Sequence, residues 1–246
     1  MLTCVLLSGL WFGSDFDLNE ARRVIDRAFL TELAQDFEGA QDAVHDVLTE
    51  HGSAASLSSK ALLEKYLDDL RLRREALTGS APDWARAFRT LRDRPPHWSD
   101  LFWARLPFDP PEAALRLELR KATGLSREAM VQHSRKRFEK SGMMTQIEPY
   151  RFDVRMELAA TDTTEVRQRS QVEAEGAYTL YDRWAEPRIV GSRSDRVTST
   201  RKRAEEATHW AARRVLDRLT EWVVFDARLR VLERPVSRPP SRSTPP

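Results

Sequence analysis

The sequence predicts an α+β fold: a helical N-terminal region followed by a three-stranded antiparallel sheet covered by a long C-terminal helix. Three observations carry that expectation. Residues 150–160, Tyr150-Arg-Phe-Asp-Val-Arg-Met-Glu-Leu-Ala-Ala160, alternate apolar and polar at the period of a half-buried strand. Upstream, apolar residues recur at helical spacing. Downstream, one long helical pattern runs from about Thr200 to Glu233.

Asp17 with Glu20 makes a capping box. Leu18, Ala21, Ile25, Phe29, Leu33, Phe37, Ala40, Val44 and Val47 then follow one helical stripe, which Gly52 closes. The spacing therefore predicts a single long amphipathic helix. A Ser-rich linker over residues 53–59 leads to a second helix around Leu62, Leu63, Tyr66, Leu67, Leu70 and Leu77, stopped by Gly79. Helices joined by a short polar loop pack antiparallel. Ser80 and Pro82 open a third helix carrying Trp84, Phe88 and Leu91, ended by Pro95-Pro96. A fourth, short helix holds Trp98, Leu101, Phe102 and Trp103, and Asp109-Pro-Pro-Glu112 is the start signal of a fifth with Leu115 and Leu119. The Trp and Phe residues between 84 and 108 fit core packing between small helices better than a base-stacking platform, because their spacing is helical throughout.

After the first strand, a turn is expected over 161–164, a second strand over 166–181, a turn over 182–187 and a third strand over 188–197. Thr198 and Ser199 offer the N-cap of the last helix. At about 1.5 Å per residue that helix is roughly 50 Å long, more than a short three-stranded sheet needs. Its excess is expected to dock on the N-terminal helices or on a partner. The expected organisation is an apolar arm over 1–14, a helical domain over 15–146, a β-β-β-α domain over 147–234 and a tail over 235–246. That tail of Pro, Ser and Arg has no periodicity, and is expected to be disordered or bound to a partner.

Of the 246 residues, 41% are apolar and 32% charged, values of a helical protein with a laced surface charge. The net charge of +2 hides bands. Residues 101–146 carry 9 basic against 5 acidic side chains and residues 200–246 carry 11 against 6, while the other two stretches are acidic. Cys4 is the only cysteine, so an intrachain disulfide and a Cys-rich metal site are excluded. Met1 to Phe12 is apolar but has no basic leading region and is too short to span a bilayer. It reads as a buried strand or docking arm, a truncated targeting segment, or a membrane-facing patch. The expected localisation is intracellular and soluble, in cytoplasm or an organelle matrix.

Residues 119–144 carry the sharpest motif. Leu119 would end one helix, Thr123-Gly124-Leu125-Ser126 would turn, and Ser126 would open a second helix holding Met130. The stretch resembles a helix-turn-helix, a family whose second helix enters the major groove. The resemblance implies that Arg127, Arg135, Lys136, Arg137 and Lys140 face phosphates or base edges. His133 and Ser134 depart from it, standing where such helices bury large apolar residues. From Ser126 to Trp222 the expected order of helix, three strands and helix looks like a double-stranded RNA-binding domain, and the spacing Ala207, Ala211-Ala212, Leu216, Leu219 is similar to that family's closing helix. Such domains read A-form shape through a basic helix start, which Arg201, Lys202 and Arg203 would supply here. They sit about a turn too early for the alanine register, and no Gly-His loop follows the first strand. A plain helical corner and a generic helix-on-sheet layer are the favoured readings of the two patterns.

No chemistry is nominated. The five histidines show no paired metal spacing, Ser8 and Ser192 lack the flanks of a nucleophile elbow, and Gly191-Ser-Arg-Ser194 lacks the spacing of a phosphate loop. The sequence therefore offers no catalytic, cofactor or metal residue to name, and the balance leans away from an enzyme. The leading expectation is a non-catalytic interaction or structural subunit of a larger assembly, with a protein partner held by the C-terminal helix and tail. The alternative is nucleic-acid binding through the basic residues above.

Overall fold

The computed structural model describes residues 16–108, 113–121, 126–146, 151–166, 169–184 and 188–234. The expected arm and tail lie outside them. The chain divides between Thr78 and Gly79 into two compact units, not between residues 146 and 147.

The first unit contains three helices, α1 (Leu18–Leu33), α2 (Phe37–His51) and α3 (Leu57–Ala76). The Asp17 carboxylate caps α1 by accepting from the N–H groups of Asn19 and Glu20. The single long helix expected over residues 18–47 is corrected to two. Gln35 sits at φ 67°, in the left-handed region, and the Asp36 carboxylate accepts from Gly39 N at 2.8 Å to start α2. The apolar stripe continues across the break, so periodicity alone could not reveal it. Ser56 caps α3. Ile25, Phe29, Val44, Leu63 and Tyr66 make the core. Within it lies a buried ion pair, in which Arg73 donates to Glu32 at 2.7 and 2.9 Å and Tyr66 adds its hydroxyl at 3.1 Å.

The second unit runs α4 (Ala81–Arg89), α5 (Pro96–Trp103), β1 (Leu115–Lys121), α6 (Arg127–Lys140), β2 (Phe152–Val166), β3 (Arg169–Asp182), β4 (Arg188–Arg201) and α7 (Ala204–Leu232). The Ser80–Asp83 capping box opens α4, as its sequence implies. The sheet has four strands in the order β1-β2-β3-β4, three antiparallel and β1 parallel to β2. The fold class stands, but the helix expected at Leu115 and Leu119 is β1. Leu115, Leu117 and Leu119 alternate with Arg116 and Glu118, and a spacing of four fits both periods. β2 continues through the turn expected over 161–164, and Thr198 to Arg201 belong to β4 and not to a helix start. Arg203 is the N-cap of α7, with no side-chain capping bond.

Phe152, Val154, Met156, Leu158, Ala174, Tyr178 and Leu180 turn one sheet face onto α7. At about 3.3 Å per residue the 14-residue β4 spans roughly 46 Å, while the 29 residues of α7 span about 43 Å. The expected overhang is thus absent, because β2 and β4 are longer and the helix shorter than the sequence suggested. Val223 to Leu229 are buried without interruption. α4, α5 and α6 also pack on α7, with Phe88 stacked on Phe225 at 4.7 Å. The surface expected to hold a partner on the C-terminal helix is therefore covered in its second half by its own unit.

Candidate binding surfaces

The eight basic residues singled out in the sequence do not gather into one patch. Arg127, Arg135, Lys136 and Lys140 are exposed on α6. Arg135 lines a small hollow with Arg116, Leu117, Thr145 and Gln146, beside β1. Arg137 turns the other way and donates to Asp217 of α7 at 2.9 Å, where His133 also meets that carboxylate at 2.7 Å. So His133 and Ser134, the latter buried, serve the α6–α7 contact. The helix-turn-helix reading is overturned at its first element, since Leu119 lies in a strand; its turn, 122–125, is outside the described residues. The order helix, three strands, helix does occur between α6 and α7, with β1 added alongside β2. Arg201 ends β4 with its guanidinium 5.0 Å from the Trp210 ring centre, and Lys202 and Arg203 are exposed in the link to α7.

The two edges of the sheet differ. At β1, the segment after α6 covers the start of the strand: Leu115 N donates to Met144 O at 2.9 Å, and Gln146 N donates to Leu115 O at 3.0 Å. At β4, among the described residues, the only neighbour is β3. Its outer edge therefore presents unpaired N–H and C=O groups along a 14-residue strand. From Arg188 to Arg203 the sequence carries six basic side chains against Asp195 alone. Two large apolar groups flank this strand on the surface, Ile189 (60% exposed) at its start and Trp210 (42%) on α7 beyond its end.

The end of this unit where β4 begins is crowded with arginine. Asp182, buried, accepts from Arg230 at 2.7 Å, from Arg234 at 3.2 Å and from Trp184 N at 2.9 Å. Burial pushes its pKa up, but those bonds and the two positive charges outweigh it and hold the carboxyl below its ordinary value. The Trp184 ring has the guanidiniums of Arg234 and Arg151 at 3.8 and 4.1 Å from its centre. Nearby, Asp226 of α7 accepts from Tyr178 Oη at 2.7 Å and from Arg92 at 3.0 Å. Burial first, then the Asp226 charge, drives the Tyr178 hydroxyl far above its ordinary pKa, so it stays a donor. A cleft of about 440 Å³ opens here, lined by Arg89, Arg92, Arg188 and Arg230 with Asp226, Glu233 and the apolar Ile189, Val190 and Leu229.

A second cavity, about 380 Å³, lies among α5, α6 and α7, where Arg137 and Lys140 join Asp100 and Glu221. Burial raises the Glu221 pKa, with Arg137 opposing and Asp217 adding to the rise. Sequence reading missed the cleft arginines, because Arg89, Arg188 and Arg230 lie far apart along the chain and no local pattern marks them. Among the described residues no group of three or more His, Cys, Asp or Glu could hold a metal ion, and no helix is long and apolar enough to cross a membrane.

No family model matches this chain, and no curated protein does. Among solved structures it is similar to a minor lipoprotein from Acinetobacter baumannii, at 12% identity and a TM-score of 0.38, over 50% of this chain and 95% of that one. It is also similar to a hypothetical protein from Chlamydia trachomatis, at 11% identity and a TM-score of 0.38, over 47% of this chain and 98% of that one.

Proposed function

We propose that this protein is a non-catalytic interaction subunit that recruits its partner by strand addition at β4. The observation that carries the reading is the unpaired outer edge of that strand, beside a β1 edge that the chain partly covers itself. A free edge of this length is costly to leave open, because it invites pairing with other chains. It also supplies affinity, since each added backbone hydrogen bond contributes about 0.5–1.5 kcal/mol. Arg193, Arg201 and Lys202 favour an extended, acidic segment of another protein. Arg196 is already met by Glu173 and Glu175 of β3, and Arg203 by Glu206. Trp210, exposed and beside Arg201, gives an apolar anchor at one end.

A ten-residue peptide of alternating Glu and Val is the probe. Strand addition predicts saturable binding that survives N-methylation along one edge of the peptide and is abolished by N-methylation along the other. Equal binding of both methylated forms would mean that charge alone is read, and the proposal fails. Duplex RNA and duplex DNA form the competing arm. If they bind with a steep log–log salt slope while the peptide does not, the nucleic-acid alternative replaces this reading.

A further inference from the structure

We propose that the arginine-lined cleft between the end of α4, the start of β4 and the last turns of α7 binds a phosphate monoester, a ligand separate from the strand partner above. Charge is the first argument. Four arginines face Asp226 and Glu233, which leaves a net of two positive charges on the lining. A phosphate monoester carries about −1.5 to −2 near neutral pH, so it balances that excess, whereas a carboxylate balances only half of it.

The second argument is donor supply. Each guanidinium has five N–H groups. Both carboxylates are already served: Asp226 by Tyr178 and Arg92, and Glu233 by Arg89 at 2.6 Å and Arg230 at 3.5 Å. Among the described residues the Arg188 guanidinium makes no hydrogen bond or ion pair, although its backbone is in the β3–β4 ladder. Arg89 and Arg92 are about half exposed and each spends one bond, so most of their donors remain available. The planar fork of arginine suits phosphate oxygens.

The geometry is held in place from behind. A Cβ on Gly191 would run into the Asp226 carboxylate, so only glycine there leaves room for the acid that fixes Arg92. Arg230 is anchored on the opposite side by buried Asp182. Beside the cleft, Arg234 lies within electrostatic reach of Arg230 and Arg188. Burial lowers the Arg234 pKa, and the positive charges of Arg230 and Arg188 lower it further, against Asp182. A bound dianion relieves that repulsion. At about 440 Å³ the cleft is in the range of small-molecule sites, and Ile189, Val190 and Leu229 give the organic part of a monoester an apolar wall.

Calorimetric titration of the full chain with phenyl phosphate, with inorganic phosphate and with vesicles containing phosphatidic acid tests this. The expected result is saturable one-to-one binding of phenyl phosphate, weakening as pH falls below about 6, where the ester loses its second charge. Arg188→Gln or Arg89→Gln should weaken it about tenfold each, while Arg196→Gln on the far sheet face should not. Among the described residues the Arg188 side chain pairs with no other, so its variant is expected to keep the parent's melting temperature. Vesicle binding that Arg188→Gln removes assigns the monoester to a lipid headgroup; binding by phenyl phosphate alone assigns it to a soluble ester. No saturable binding by any of the three probes, or binding that both variants leave unchanged, overturns the proposal. Neither outcome bears on strand addition, which the methylated peptides decide.

Discussion

Replacing Glu32 by alanine would remove the carboxylate that accepts two hydrogen bonds from the buried Arg73 guanidinium in the first unit. Removing one partner of a buried pair typically costs about 3–5 kcal/mol, because the remaining buried charge loses its main counter-charge. Urea unfolding of the first unit, followed by its helical circular dichroism, should show a loss of that size for Glu32→Ala. The double change Glu32→Leu with Arg73→Met should recover most of it. Two carboxyls in the second unit titrate with opposite sign. The folded-state pKa of Asp182 is depressed, so its stabilisation is present above the unfolded value of about 3.9 and is lost as pH falls through the folded one. That of Glu221 is raised, so its contribution is present below the unfolded value of about 4.3 and is lost as pH rises through the folded one. Asp182→Asn should therefore flatten the acid limb of the stability–pH curve, and Glu221→Gln should stabilise at neutral pH. Melting temperatures between pH 3 and 8 give both answers. None of these partners is legible in sequence, since Glu32 meets Arg73 and Asp182 meets Arg230 only through packing.

At the level of single elements, α7 can lie close on the sheet because Gly176 has no side chain. A Cβ there would stand 2.7 Å from Val215, 2.9 Å from Leu219 and 3.0 Å from Leu158. Gly176→Val should destabilise the second unit by about 1–3 kcal/mol, read as an earlier urea midpoint; an unchanged midpoint would contradict this packing. β2 was legible because Phe152, Val154, Met156 and Leu158 alternate without error over a half-buried face. β1 carries the same alternation in fewer residues, and its Leu115 and Leu119 also satisfy helical spacing, so its period was ambiguous. The α1–α2 break escaped notice for a related reason. Gln35 adopts a left-handed conformation without a glycine or proline to announce it.

At the level of the molecule, the division between Thr78 and Gly79 gives each unit its own core, so each should fold alone. A fragment of residues 79–246 should unfold cooperatively and keep both the peptide and the phosphate sites; a fragment without a sigmoidal transition would show that the units depend on each other. The sequence indicated a sheet roofed by a helix. It could not indicate that the roof and the strands have equal length, which moves the expected partner surface from the helix to the strand edge. Amide hydrogen exchange across β4, measured with and without the alternating Glu-Val peptide, tests that conclusion most directly. The account predicts that alternate β4 amides, those not donating to β3, exchange quickly in the free protein and slow on binding, while α6 is unchanged. Protection confined to α6, or β4 amides that stay fast at saturating peptide, would contradict it.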